Sequence, residues 1–507
     1  MTALSRGLRA GSLLRGARGD ALAFVAGLPL VLGFAPFGWY GLPLMSFAAL
    51  LICLEGVSPR RALWRGYLFG VASFLTGLYW IHISIHVFGG APLAMALALM
   101  FLLVLFLALY PAIFAGLLNR LAPDGTVLRY VAAAPALWVL TEWLRGWLFS
   151  GFGWLSVGYT QSDGVFRHWL AALGVYGSSF IVVVLAGALA ATVLLTRGRP
   201  WIALPVVGAL FAGLLLGRVD WTQPTDQAVD VALVQGSVPQ ELKWQPSQLQ
   251  PTVDLYVGLT DDNLDADLVV WPEAAIPTAR RNLDALFDAL RARGARSDTE
   301  FLIGTVAVDP ASGDPVNTAT LLGATAADET RYVKRHLVPY GEYFPVPGFV
   351  RRWIQWMNLP YQDFKAGDDD QPPLSAAGVS IAMSICYEDV FGAELRAMLP
   401  EATVLANVSN DAWFGGSVAP HQHLQMARVR AMEAGRMMMR GTNNGISAII
   451  DQKGRVVAQS GQFRPEVLRG RVMGFTGSTP FVRFGNAPVV AGCLGLIVLC
   501  AAIRRSA

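Results

Sequence analysis

The sequence predicts a chain of two structural classes. One is an α-helical transmembrane bundle of about eight helices; the other is an α/β domain inserted between the seventh helix and the eighth. Three observations predict this. Of 507 residues, 54% are hydrophobic and only 15% charged, where a soluble domain carries about a quarter charged residues, so much of the chain belongs in lipid. Apolar runs near the roughly 20 residues that a bilayer needs recur through the first 220 residues and again at the end. Between them, over residues 222–480, charges return and short apolar runs alternate with amphipathic stretches.

The chain divides accordingly into a membrane part (1–221), an external α/β part (222–480) and a closing helix with its tail (481–507). Arg6, Arg9, Arg15 and Arg18 precede the first apolar run, which reads as an uncleaved first helix. Spans are expected at about 21–36, 39–56, 65–86, 92–117, 128–147, 168–195, 200–217 and 486–503. Arg60, Arg61, Arg65, Arg120, Arg129, Arg197, Arg199, Arg504 and Arg505 fall in loops or ends on the side of the basic N-terminus. The opposite loops around 36–39 and 88–91 lack Lys and Arg. Arg145 and Arg167 depart from the pattern. The positive-inside rule then sets both termini in the cytoplasm and the 222–480 domain outside. Glu142 and Arg145 are expensive in a membrane unless paired or in use, which marks them for pairing with each other or for headgroup contact. His82 and His86 stand one helical turn apart without a third ligand, so no metal is expected. A formal net charge of +3, with no basic block and no phosphate-cradling glycine loop, excludes a nucleic-acid or nucleotide role.

In the external part, residues 229–235, 268–271, 301–308, 381–385 and 404–408 read as strands. Residues 283–293 and 422–438 read as helices, and 445–450 with 455–460 as a hairpin turned by Asp451-Gln-Lys-Gly454. Three places carry chemistry. Val379-Ser-Ile-Ala-Met-Ser-Ile delivers Cys386 to a strand end, followed by Tyr387, Glu388 and Asp389. Asp267-Leu-Val-Val-Trp-Pro ends in Glu273. Lys334 follows Arg331-Tyr-Val and is itself followed by Glu342. A thiolate is the strongest side-chain nucleophile toward an acyl carbon, a carboxylate in reach takes the thiol proton, and an ammonium stabilises the oxyanion. Of four cysteines, Cys53, Cys493 and Cys500 lie in apolar spans. Cys386 alone lies outside, where an unpartnered thiol points to reactivity.

At Trp271-Pro-Glu273, Lys334-Arg-His-Leu-Val-Pro and Ile385-Cys386-Tyr-Glu388 the sequence resembles the nitrilase superfamily. That resemblance implies an α-β-β-α sandwich with Glu273 as base, Lys334 as oxyanion stabiliser and Cys386 as nucleophile. Glu342, Tyr387 and Glu388 are then supporting residues, the Tyr387 amide as a second oxyanion donor. Over nearly its whole length the chain resembles the apolipoprotein N-acyltransferase family of the bacterial inner membrane. Gln235-Gly-Ser-Val-Pro-Gln240 with Lys243-Trp244, Asn407 to Gly415, Thr442 to Gly445, Glu142 to Arg145 and Gly151 to Leu155 carry that likeness. It implies no cofactor and a phospholipid acyl donor such as phosphatidylethanolamine. The acceptor it implies is the α-amine of a diacylglyceryl-cysteine on an apolipoprotein. It assigns Trp244 to substrate handling. An apolar arm with Trp353, Ile354, Trp356 and Met357 is expected to dip into the membrane interface. A membrane-anchored amidohydrolase and a binding-only receptor are the alternatives.

Overall fold

The computed structural model describes residues 14, 16–195, 199–323, 329–345 and 363–506. The arm residues Trp353, Ile354, Trp356 and Met357 lie outside these. The chain forms two compact units. One holds the chain up to Asp220 with Gly416–Gln425 and the segment from Arg483; the other holds Trp221–Gly415 and Met426–Val482.

The first unit is helical. Three helices are long and apolar enough to cross a membrane among the described residues, not eight: Leu93–Leu121, His168–Leu194 and Ala487–Arg504. A fourth forms if Pro59–Leu78 and Ile81–Phe88, bent by 55°, count as one span. Hydropathy reads composition, whereas a span also needs an unbroken helix. The first expected span changes at Leu28 into a tight 3-10 stretch that begins Leu28-Pro29. The second is only the 12 residues of Leu42–Cys53. The fifth starts as a π-helical turn at Arg129–Ala133 before the helix Ala134–Arg145. The seventh has Pro205 inside Arg199–Leu216. Close packing relies on small residues, as membrane helices do. A Cβ at Gly66 would stand 2.3 Å from the Pro111 carbonyl, and one at Gly70 2.9 Å from Ala108 Cα. Gly416–Gln425 is tied in by amides. Gln422 Oε1 accepts from Trp154 Nε1 at 2.7 Å, and Gln425 Nε2 donates to the Tyr159 carbonyl at 3.0 Å.

The second unit contains two six-stranded sheets. The strands are β1 (Thr222–Gln235), β2 (Leu268–Trp271), β3 (Glu300–Val308), β4 (Pro315–Leu322), β5 (Glu329–Val333), β6 (Leu374–Ala376), β7 (Val379–Ile385), β8 (Val404–Ser409), β9 (Met438–Thr442), β10 (Ala448–Ile450), β11 (Val456–Gln459) and β12 (Glu466–Gly477). Their orders are β12-β1-β2-β3-β4-β5 and β11-β10-β9-β8-β7-β6. In each sheet the middle is parallel, β1-β2-β3 and β7-β8-β9, with antiparallel strands at both sides. Such strands are buried on both faces and therefore read as continuous apolar runs. Leu268-Val-Val-Trp271 is fully buried. One face of the first sheet packs Val234, Val269, Trp271, Phe301 and Ile303 on helices Leu249–Asp261 and Asp284–Ser297 through Tyr256, Phe287 and Leu290. The other face meets the second sheet, where Val270 stands over Gly441.

Candidate active site

Each of the three candidate reacting groups sits just beyond the C-terminal end of a strand. Glu273 follows β2 by two residues, Lys334 follows β5 and Cys386 follows β7. Two antiparallel steps turn β5 to run with β3, so Lys334 emerges at the same edge as Glu273. A rigid sheet thereby aims side chains that loops alone would hold loosely.

Backbone strain marks two of these positions. Cys386 has φ +54° and Ala274, next to Glu273, has φ +45°. Non-glycine residues in this region cost about 1–3 kcal/mol each and persist where the surroundings hold them. Gly304 on β3 makes room for the turn at Glu273. A Cβ there would stand 2.2 Å from the Pro272 carbonyl oxygen and 2.6 Å from Glu273 Cα.

The structure brings Glu273, Lys334 and Glu342 into direct contact. Lys334 is 1% exposed, and its Nζ donates to Glu342 Oε1 at 2.9 Å and Glu273 Oε1 at 3.3 Å. Burial by itself lowers an ammonium's pKa; Glu273 and Glu342 outweigh it and hold Lys334 well above its ordinary value, hence charged. Asn317 Nδ2 bridges the same two carboxylates, at 2.7 Å to Glu273 and 2.9 Å to Glu342. Among the described residues Glu273 Oε2 accepts only the Asn410 main-chain N–H, at 3.1 Å, and so keeps a lone pair for a proton. Glu342 Oε2 accepts from the Val338 N–H at 2.8 Å.

Cys386 is half-buried at this cluster. Burial first, then the Glu273 carboxylate, push its thiol pKa up; Lys334 draws it down by less. The resting group is therefore a thiol, and its proton must leave as it attacks. Glu388 is 3% exposed and ties the segments of Lys334 and Cys386 together. It accepts main-chain N–H bonds from Arg335 at 2.6 Å, His336 at 3.1 Å and Ile385 at 2.7 Å, and its two oxygens share the single proton of the Tyr332 hydroxyl. Tyr387 packs its ring edge-on against Phe391, 5.1 Å between centroids.

Several site residues escaped the sequence reading. Asn317 lies on β4, a strand not foreseen. Arg440, fully buried on β9, donates to Asp389 at 2.9 Å, Asp411 at 3.1 Å and Asn407 at 2.6 Å. Asn407 in turn donates to the Cys386 carbonyl at 3.2 Å. Lys243, noted only as part of a motif, is a buried cation whose Nζ donates to the Glu273 carbonyl at 3.3 Å. Its neighbour Trp244 is 53% exposed, open to a ligand rather than packed in the core.

In the helical unit Glu142 and Arg145 are both buried, 3.9 Å apart. Glu142 accepts from the Val157 N–H at 2.8 Å, and Arg145 donates to the Phe152 and Trp154 carbonyls at 2.6 Å each. Their partners are thus the loop that follows their own helix.

Comparison with known proteins adds the following. A family model described as the apolipoprotein N-acyltransferase N-terminal domain matches residues 26–188, and one described as carbon-nitrogen hydrolase matches residues 230–479. The apolipoprotein N-acyltransferase of Methylococcus capsulatus is 41% identical over 487 residues, 96% of each chain. That of Vibrio cholerae is 39% identical over 478 residues, 92% of this chain and 94% of the relative. Among solved structures, Saccharomyces cerevisiae Nit3, a member of branch 10 of the nitrilase superfamily, is similar with a TM-score of 0.38 at 18% identity. It covers 49% of this chain and 90% of its own.

Proposed function

This chain belongs to the apolipoprotein N-acyltransferase family, and from that premise we propose how its residues carry an acyl chain from donor to acceptor. It is a membrane acyltransferase of lipoprotein maturation. The donor is a phospholipid, phosphatidylethanolamine in our reading, and the acceptor is the α-amine of an N-terminal diacylglyceryl-cysteine. The 222–480 domain faces the periplasm, with both termini cytoplasmic.

The observation that carries the mechanism is the buried contact of Glu273, Lys334 and Glu342 beside a neutral Cys386 thiol. Glu273 takes the thiol proton as sulfur bonds to the ester carbonyl carbon. Lys334 holds the oxyanion. When the carbon–oxygen bond breaks, the proton on Glu273 passes to the leaving lysophospholipid. The thioester then meets the amine. Nitrogen bonds to the acyl carbon as Glu273 takes a proton from it, the carbon–sulfur bond breaks, and that proton returns to Cys386. Two half-reactions let one base and one oxyanion site serve both substrates, which is ping-pong chemistry. Glu342 and Asn317 hold Lys334 and Glu273 in register. Trp244, Trp353 and Trp356 are the proposed lipid contacts, and Glu142 and Arg145 brace the loop that follows their helix.

Mass spectrometry of the purified protein mixed with phospholipid alone tests this. An acyl adduct on Cys386, cleared by a lipopeptide amine or by hydroxylamine, is the expected result. Transfer by Cys386→Ala, or an adduct on another residue, overturns it. Hydrolysis of a short-chain amide without any lipid transfer favours the amidohydrolase.

A further inference from the structure

Lys243 closes the short helix Gln240–Lys243 and is 1% exposed. Among the described contacts its Nζ has one acceptor, the Glu273 main-chain carbonyl at 3.3 Å. An ammonium has three donors to satisfy, so this burial is costly. Desolvation draws its pKa from 10.5 down to about 8, with Glu273 pulling the other way. Stability gives no reason to keep such a residue.

The charges around it do. Glu273 and Glu342 share one ammonium, Lys334. Behind the nucleophile Asp389 and Asp411 share one guanidinium, Arg440. Each group is two negative charges against one positive, and the thiol must release its proton into this interior. Around Glu273 the other neighbours are the Asn317 and Asn410 amides and the Cys386 thiol, none of them cationic. Lys243 supplies the missing charge, and its hydrogen bond reaches the strained turn that carries the carboxylate.

We propose that Lys243 is a positioning residue for the base: it pins the main chain at Glu273 and supplies the second positive charge that keeps that carboxylate ionised until it takes the proton of Cys386. This rests on the reading of Glu273 as the general base.

The test uses the full-length protein in detergent micelles and the first half-reaction only. The rate of Cys386 adduct formation from a phospholipid with a labelled acyl chain is followed against pH, with no amine present to titrate. In the unaltered protein the rate falls above about pH 8 as Lys243 loses its proton. Lys243→Arg keeps the neutral rate and moves that fall to higher pH. Lys243→Met reacts about tenfold or more slowly at pH 7, and its profile loses the fall above about pH 8. Its melting temperature stays level or rises. Below about pH 8 the fold bears the full cost of the buried ammonium, a cost that disappears as pH rises toward 10.5. A purely structural lysine does the reverse, lowering the melting temperature and leaving the profile in place. A Lys243→Met profile that overlays the parent, or a folded Lys243→Arg as slow as Lys243→Met, overturns the proposal. The base reading fails separately, by adduct formation in Glu273→Gln.

Discussion

The helical unit and the surroundings of Glu273 bury charge in opposite ways. In the helical unit the buried cations are arginines, and they spend their donors on main-chain carbonyls. Arg65 binds the carbonyls of Cys53 and Leu14 together with Asp20; Arg129 binds those of Leu118, Ala122 and Leu54. Arg145 binds those of Phe152 and Trp154. Guanidinium forks satisfied in this way tie off helix ends and breaks, where carbonyls lack partners. Around Glu273 the cations are lysines and the acceptors mostly carboxylates, with acids in excess. The difference teaches what each arrangement is for. Arginine on carbonyls locks architecture, whereas a few lysines among several acids leave protons free to change place. Arg440 falls between, since it is a buried arginine yet bonds the carboxylates of Asp389 and Asp411 rather than carbonyls.

That contrast can be broken by experiment, and the largest effect comes from the lysine side. Glu273→Gln should stop adduct formation altogether while the protein stays folded. Lys334→Met should slow acyl transfer on the order of a hundredfold or more, the usual cost of one oxyanion donor, measured as kcat in micelles. Arg129→Met should behave in the other manner. It strips a buried cation from its carbonyls and Glu55, at a cost of about 3–5 kcal/mol of fold stability, read by thermal unfolding in detergent, while the folded fraction keeps its turnover number. An Arg129 variant of normal stability with lost turnover would erase the distinction. The smallest effect concerns Cys386 itself. With the thiol held neutral by burial and by Glu273, alkylation by iodoacetamide should be slow at pH 7 and keep rising past pH 9. A plateau beginning near neutrality would mean a preformed thiolate.

Glu273 and Cys386 were legible because each ends an apolar run that is buried on both faces, whereas Lys334 follows the charged, largely exposed β5 and stood out through its flanking motif. The parallel middle strands β2, β7 and β8 also fell where their sequence put them. What was missed depends on distant pairing. β4 and β5 gain their place only by turning back on β3, and Asn317 came into view with them. Met438–Thr442 continues a methionine-rich stretch with good helix propensity, which led the expected helix on to 438, whereas the helix ends at Ala434 and β9 inserts beside β8. Arg440 was hidden by the same error. β12 is one long partner for β1, from Gln235 against Glu466 to Thr222 against Gly477, and no local pattern announces it. The span count failed for a different reason, since apolar composition persists straight through 3-10 and π-helical breaks that end a helix.

Glu388 has a mechanical consequence. One carboxylate holds the amides that follow Lys334 and the amide that precedes Cys386. The lysine and the thiol therefore ride on a common clamp, and fluctuations that open one must disturb the other. Hydrogen exchange makes this visible. The amides of Arg335, His336 and Ile385 should exchange slowly and with a common opening free energy. In Glu388→Ala they should part company, each taking the rate of its own segment.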